Sequence, residues 1–253
     1  MLFDSHAHYN DERFLEDINE LLSSMQENNV GYIMNACASV DEIDYILKLA
    51  NKYDFLYASV GVHPHEVSTM TQTDIDKLRE CAKHPKVKAI GEIGLDYYYD
   101  NSPRDLQKKW FERQIELSLE LDMPIIIHDR DAHRDCLDIL NKYQGVKGVF
   151  HCYSGSAEML DEVLDLGLYV AFGGSITFKK AQKPVEAVKK APLDKILIET
   201  DCPYLTPEPY RGKRNSSLYI HLVAEKIAQI KNIGVDEIEK ITTENAKKCF
   251  GIR

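Results

Sequence analysis

Eight short apolar segments rich in β-branched residues alternate with longer amphipathic segments along the chain. The pattern predicts strands at 2–6, 32–38, 56–62, 87–93, 124–128, 147–152, 168–173 and 196–201. It predicts helices between them at 13–29, 40–53, 73–84, 103–122, 132–144, 157–166, 180–190 and 217–232, and a last helix at 235–250. Repeated alternation of this kind is typical of α/β proteins with a parallel sheet.

The strands themselves indicate which α/β architecture to expect. Segments 125–127 and 196–198 are continuously apolar, which is typical of strands covered on both faces. Eight strand–helix units in 253 residues predict a (β/α)8 TIM barrel that forms a single domain over residues 1–253. The alternative is an open doubly wound sheet, but no Gly-x-Gly-x-x-Gly turn follows the first strand.

Composition and the spacing of the cysteines predict the cellular compartment. No segment has the roughly 18 uncharged apolar residues of a membrane span, and the first residues show no targeting pattern. The six cysteines have no paired spacing, so we expect no disulfide framework and a reducing, cytoplasmic environment. Nothing in the sequence points to a membrane or to an obligate protein partner.

The net charge of −10 excludes a general electrostatic affinity for nucleic acid, because that affinity comes from Lys and Arg replacing phosphate counterions. Any polyanion has to be held locally. The one dense basic cluster in a loop consists of Arg211, Lys213 and Arg214, directly after the eighth predicted strand. These three cations are the candidates for such local binding, beside the site described next.

Polar residues end six of the predicted strands, at the edge where (β/α)8 enzymes carry their chemistry. His6 and His8 lie two residues apart on a strand, so their side chains share one face and can bind one ion. The other strand ends supply carboxylates and further histidines. The predicted metal ligands are His6, His8, Glu92, His128, His151 and Asp201.

Imidazole and carboxylate suit divalent metals, and the absence of cysteines with ligand spacing favours an open catalytic site over a structural zinc site. Six ligands are more than one ion needs. We therefore expect two divalent ions, about 3.5–4 Å apart with a carboxylate between them. Mg, Mn and Zn all remain possible.

These residues resemble the motifs of the TatD family, metal-dependent deoxyribonucleases within the amidohydrolase-like barrels. The similarity runs in the family's order from the first strand to Asn245-Ala246. It rests on Asp4-Ser5-His6-Ala7-His8, Gly61-Val62-His63-Pro64-His65, Gly91-Glu92-Ile93-Gly94-Leu95-Asp96-Tyr97, Ile127-His128, His151-Cys152-Tyr153-Ser154-Gly155 and Glu199-Thr200-Asp201-Cys202-Pro203-Tyr204-Leu205.

The resemblance implies how the ligands divide. His6, His8, Glu92 and Asp201 would hold one metal, and Glu92, His128 and His151 the second, so Glu92 would be the bridge. It also implies hydrolysis of DNA, which a barrel mouth admits more easily as a short or single-stranded end.

We assign Asp201 as the residue that accepts a proton from the attacking water. Glu199 shares its parity one layer lower and is expected to orient a metal ligand.

His63 and His65 end the third strand, and we expect them to contact the substrate. Two other functions remain open. The same ligands suit hydrolysis of an amide, lactone or aminoacyl ester, and a barrel can also serve as a binding module without activity. The charge of the pocket discriminates between them, because a phosphodiesterase needs cations besides the metals.

Overall fold

The predicted strands form one parallel sheet in which each strand pairs with the next along the chain. The computed structural model describes residues 1–253. The strands are β1 Leu2–Ala7, β2 Val30–Asn35, β3 Leu56–Val60, β4 Val87–Asp96, β5 Ile125–Arg130, β6 Gly148–Phe150, β7 Tyr169–Phe172 and β8 Ile196–Ile198.

Helices follow the strands as predicted. They are α1 Ile18–Ser23, α2 Ile43–Lys52, α3 Gln72–Cys81, α4 Arg104–Glu120, α5 His133–Leu140, α6 Met159–Asp165, α7 Gln182–Lys190, α8 Ile220–Lys231 and α9 Val235–Cys249. Every helix buries apolar side chains; in α2 these are Ile43, Ile46, Leu49 and Ala50. None of the helices combines the length and apolar character needed to cross a bilayer.

The first predicted helix, 13–29, is wrong in extent. Only Ile18–Ser23 is α-helical, and 3-10 turns at Glu12–Phe14 and Gln26–Asn28 flank it. The apolar spacing that suggested one long helix is still used for burial, because Phe14 packs against Tyr9 with ring centroids 4.8 Å apart. Short 3-10 turns thus stand where the prediction placed the two ends of the helix.

Contacts between the ends of β1 and β8 bring the sheet round into a barrel. Ser5 Oγ donates to the carbonyl of Ile198 (2.9 Å), and the backbone N–H of Asp201 donates to the carbonyl of His6 (2.9 Å). The N–H of His8 donates to the carbonyl of Cys202 (2.8 Å). The prediction of a (β/α)8 TIM barrel is confirmed.

Alternating residues of the strands enter two separate cores. Residues such as Ile125 and Ile127 face the helices in an outer cluster of 58 buried residues. An inner cluster fills the barrel with Phe3, Met34, Ala89, Ile126, Val149, Ala171 and Leu197, joined by Ala246, Cys249, Phe250 and Ile252 from the end of the chain. The chain end therefore closes the amino-terminal side of the barrel, and the carboxyl ends of the strands remain accessible.

Two strands depart from simple alternation. Phe3 and His6 both face the barrel interior although they are three residues apart, and β1 shifts its register against β2 between Asp4 and Ala7. Ala89 and Glu92 do the same in β4, which shifts against β5 between Ile90 and Ile93. Irregularities of this kind turn a side chain to the other face of a sheet, and they are frequent beside active sites.

Closure of the barrel by the chain end predicts a large effect of Phe250→Ala. Its ring is buried 5.9 Å from that of Phe3, so truncation leaves a cavity and is expected to lower the free energy of unfolding by about 3 kcal/mol. Urea unfolding measures the loss, with exposed Leu15→Ala as a control that changes it by less than about 0.5 kcal/mol. Equal stabilities of the two variants would contradict this role.

Candidate metal centre

The carboxyl ends of the strands surround a cavity of about 750 Å³. Four histidine rings and two carboxylates meet at its base. All six predicted ligands are brought together there, with most of their contacts between 2.7 and 3.6 Å; they are His6, His8, Glu92, His128, His151 and Asp201.

Glu92 lies at the centre of this group, and its two oxygens face different histidines. Oε2 is 3.2 Å from Nε2 of His6 and 3.5 Å from Nε2 of His8. Oε1 is 2.7 Å from Nδ1 of His128 and 2.8 Å from Nε2 of His151. The side chain is only 3% exposed, so a single buried carboxylate joins two pairs of imidazoles.

Asp201 lies on the side of the first pair. Its Oδ1 is 3.6 Å from Nε2 of His8 and 3.9 Å from Nε2 of His6. The residue follows β8 with a positive φ of 55°, a conformation that aspartate tolerates better than most side chains. The backbone bond to the His6 carbonyl fixes it against β1.

His63 and His65 both line the cavity. His63 also reaches the candidate metal ligands, because its Nε2 is 3.6 Å from Oε1 of Glu92. With Glu92 and His128 it forms one of the donor groups able to hold a metal ion. Nε2 of His65 instead donates to Oδ2 of Asp96 (2.9 Å).

Sequence reasoning missed Asp96. Its Oδ2 is 3.1 Å from Nε2 of His128 and 2.9 Å from Nε2 of His65, so this carboxylate holds the His128 ring with Nδ1 toward Glu92. The side-chain amide of Gln107 fixes the position of Asp96, because Gln107 hydrogen-bonds both its backbone N–H (2.8 Å) and its carbonyl (3.1 Å).

Asp96 was missed because β4 and β5 are longer than predicted. Their apolar runs stop near Glu92 and His128, but pairing continues through Gly94 with His128 to Asp96 with Arg130. Gly94 permits this approach: a Cβ there would lie 1.9 Å from the carbonyl oxygen of His128, and its φ is +146°. The alternation of positions 92, 94 and 96 was the available signal.

Glu199 lies beneath the metal-ligand candidates and is fully buried. Its Oε1 accepts the backbone N–H of Cys152 at 2.6 Å and is 3.6 Å from Nδ1 of His151. Its Oε2 has no hydrogen-bond partner. This placement suits the predicted role of orienting His151, which remains a prediction.

The predicted basic loop does not line the cavity. The guanidinium of Arg214 pairs with Asp17 (2.9 Å), and that of Arg211 stacks on the ring of Phe178 (4.3 Å). The ammonium group of Lys213 lies over Tyr210. Contact of these three residues with substrate stays a prediction, and the arginine that does line the cavity is Arg130.

The electrostatics of the cluster favour bound positive charge. Burial raises the pKa of the Glu92 carboxyl, but the charges of His151 and His6 more than offset it, and the pKa lies well below its ordinary value. Burial likewise opposes ionisation of Asp201, yet the hydrogen bond to His8 brings its pKa below the usual range. Burial lowers the pKa of His151, and Glu92 more than reverses this effect. The neighbouring histidines therefore stabilise both carboxylates in their ionised form.

The donor set fits divalent cations. Nε2 of His6 and Nε2 of His151 both face Glu92, while the buried Nδ1 atoms of these rings have no hydrogen-bond partner. Two groups of donors share Glu92, one with His6 and His8 and one with His63 and His128, and each group lies within 4.8 Å. The structure thus contains His and Glu clusters able to hold metal.

Comparisons with known proteins agree with this chemistry. A family model described as TatD related DNase matches residues 3–251. YabD of Bacillus subtilis, named an uncharacterized metal-dependent hydrolase, is 46% identical over 254 residues and is covered, like this chain, over 100% of its length. YcfH of Escherichia coli K12, which has the same description, is 35% identical, with 99% of this chain and 96% of YcfH covered.

Solved structures of TatD proteins share the fold of this chain. YJJV, a TatD homologue from Escherichia coli, superimposes with a TM-score of 0.94 at 27% identity, covering 100% of this chain and 98% of YJJV. A TatD-family hydrolase from Entamoeba histolytica, at 23% identity and a TM-score of 0.89, shares the fold over 100% of this chain and 99% of its own. The chain therefore belongs to the TatD related DNase family of metal-dependent hydrolases.

Proposed function

We propose that this protein hydrolyses phosphodiester bonds of DNA, at ends or in single strands, with two divalent metal ions. The observation that carries the proposal is the division of contacts around Glu92. One oxygen faces His6 and His8 and the other faces His128 and His151, so Glu92 would serve as a ligand common to two ions.

Each ion would have its own ligands from the chain. His6, His8 and Asp201 would hold one with Glu92, and His128 and His151 would hold the other. Two such ions would supply an acidified water and would stabilise charge on the attacking and leaving oxygens of an in-line displacement.

The chain's own residues then account for the proton and for the orientation of the ligands. Asp201 is 15% exposed at the cavity and ionised, so it can accept the proton of the attacking water. Asp96 contacts His128 and holds its ring in place. Glu199 lies beside His151 and has the same role for that ring. Glu92 is buried, so bulk water does not reach the centre of the site.

DNA as substrate is supported by the family model and by the sequence motifs. The shape of the site supports a short or terminal segment. The cavity lies inside the rim of a barrel, where a single strand enters more easily than intact duplex. The net charge of −10 also disfavours extended contact with duplex DNA.

A second candidate is hydrolysis of a less anionic ester or amide on the same centre. It is favoured by the cavity lining, in which seven residues are carboxylic acids and one, Arg130, is a cation outside the histidines. Such a lining repels a polyanion unless bound metal compensates for it. Direct assays on DNA and on small esters separate the two functions.

Metal content tests the bridging role. Protein stripped with a chelator and resupplied with Mn or Zn is expected to retain two ions per chain, and Glu92→Ala to lose at least one, because it removes a ligand from both positions. Mass spectrometry of the metal after gel filtration measures the ratio. Glu66→Ala, which removes a carboxylate from the cavity wall, is the control and should retain two. A single ion in the unaltered protein would contradict the arrangement.

Cleavage of DNA tests the reaction. Single-stranded oligomers labelled at the 5′ or the 3′ end are incubated with metal-stripped protein resupplied with Mg, Mn or Zn. We expect a metal-dependent ladder, and we expect Asp201→Asn to lower kcat by about 10²- to 10⁴-fold because it removes the proton acceptor. The label that survives gives the direction of cleavage. No cleavage by protein that holds two ions would overturn the assignment to DNA and favour the second candidate.

A further inference from the structure

Arg130 is the only lysine or arginine that lines the cavity. It is the last residue of β5, two positions beyond His128 and on the same face of the strand. At about 3.3 Å per residue, its backbone lies roughly 6.6 Å from that of His128 in the direction of the opening. The side chain therefore lies beside the metal centre, on the path of entry.

The guanidinium of Arg130 is held in a corner between two tyrosines. Its central carbon is 4.3 Å from the ring of Tyr98 and 4.8 Å from that of Tyr99, and the two rings are perpendicular, 4.9 Å apart. Stacking on aromatic faces leaves the N–H edge of a guanidinium free to bind an anion.

Two other arginines, by contrast, are neutralised by carboxylates. Arg13 forms an ion pair with Asp11 (2.7 Å), and Arg214 forms one with Asp17. Arg130 forms neither an ion pair nor a side-chain hydrogen bond with the protein, although seven of the lining residues are acidic. An arginine placed in an acidic cavity without a carboxylate partner has its charge available for a ligand.

Asp96 joins this arginine to the metal centre. Its Oδ1 accepts the backbone N–H groups of Tyr98 (3.0 Å) and Tyr99 (2.8 Å), while its Oδ2 contacts the ring of His128. The same carboxylate thus fixes a candidate metal ligand and the turn whose rings hold Arg130. Asp96 therefore fixes the position of His128 relative to the turn that carries Tyr98 and Tyr99.

We propose that Arg130, Tyr98 and Tyr99 form an anion subsite that binds a phosphate group of a single-stranded nucleic acid, next to the phosphodiester being hydrolysed. The inference rests on the proposed function and adds a second point of contact with the substrate. A planar guanidinium donates two parallel hydrogen bonds to phosphate oxygens, which an ammonium group cannot do. The subsite thus favours chains with at least two phosphates over single diesters.

Binding measured without turnover tests the subsite. Fluorescence anisotropy follows a labelled thymidine tetramer with phosphorothioate linkages, which keep their charge and resist cleavage, on metal-loaded protein. We expect Arg130→Gln to raise Kd roughly 10- to 100-fold, as loss of hydrogen bonds to a charged group does, and Arg130→Lys to fall between it and the unaltered protein. A tetramer with uncharged methylphosphonate linkages should bind equally to Arg130→Gln and the unaltered protein.

Arg104→Gln is the matched control. Its guanidinium stacks on neighbouring Tyr97 (4.2 Å) but pairs with Asp100 and lies outside the cavity lining, so its removal should leave Kd unchanged. Equal Kd values for Arg130→Gln and Arg104→Gln, or no binding of the charged tetramer by the unaltered protein, would overturn the subsite. If binding depends on Arg130 but no DNA is cleaved with any metal, the subsite stands and the nuclease assignment fails.

Discussion

The contact of one buried carboxylate with two pairs of imidazoles organises this protein. Glu92 loses the solvation of its charge on burial, and the cost is offset only by positive charge placed at each of its oxygens. His6 and His8 approach from β1, and His128 and His151 from β5 and the end of β6. A closed barrel is the arrangement that brings strands so distant in sequence to one point.

Two local irregularities make this convergence possible. Regular alternation from Phe3 and Ala89, which fill the barrel, would have turned His6 and Glu92 toward the helices. The register shifts in β1 and β4 reverse that orientation. The strands thus supply a packed apolar interior at one end of the barrel and a polar site at the other, and the end of the chain covers the apolar side.

Charge relates the site to its proposed substrate. The chain carries ten net negative charges and the cavity is acidic, so affinity for a polyanion has to come from a few localised groups. On the proposed function these groups are the bound metals and Arg130. Asp96 gives them a common support, because it contacts both His128 and the turn of Tyr98 and Tyr99. Local recognition of this kind suits the end of a strand better than the length of a duplex.

The sequence by itself determined the barrel and the six residues at its centre. Strand periodicity and polar strand ends are local properties, and the carboxyl ends of all strands of a barrel meet at one opening. The register shifts that turn His6 and Glu92 toward that opening are seen only in the structure. Only the tertiary structure revealed Asp96 and Arg130, because hydrogen bonds between β4 and β5 extend both strands beyond the apolar runs that mark strands in a sequence. It also showed that Arg214 of the predicted basic loop pairs with Asp17, a residue far away in the chain. Such long-range pairing leaves no periodic signal in the sequence, and it decides which charges reach the site.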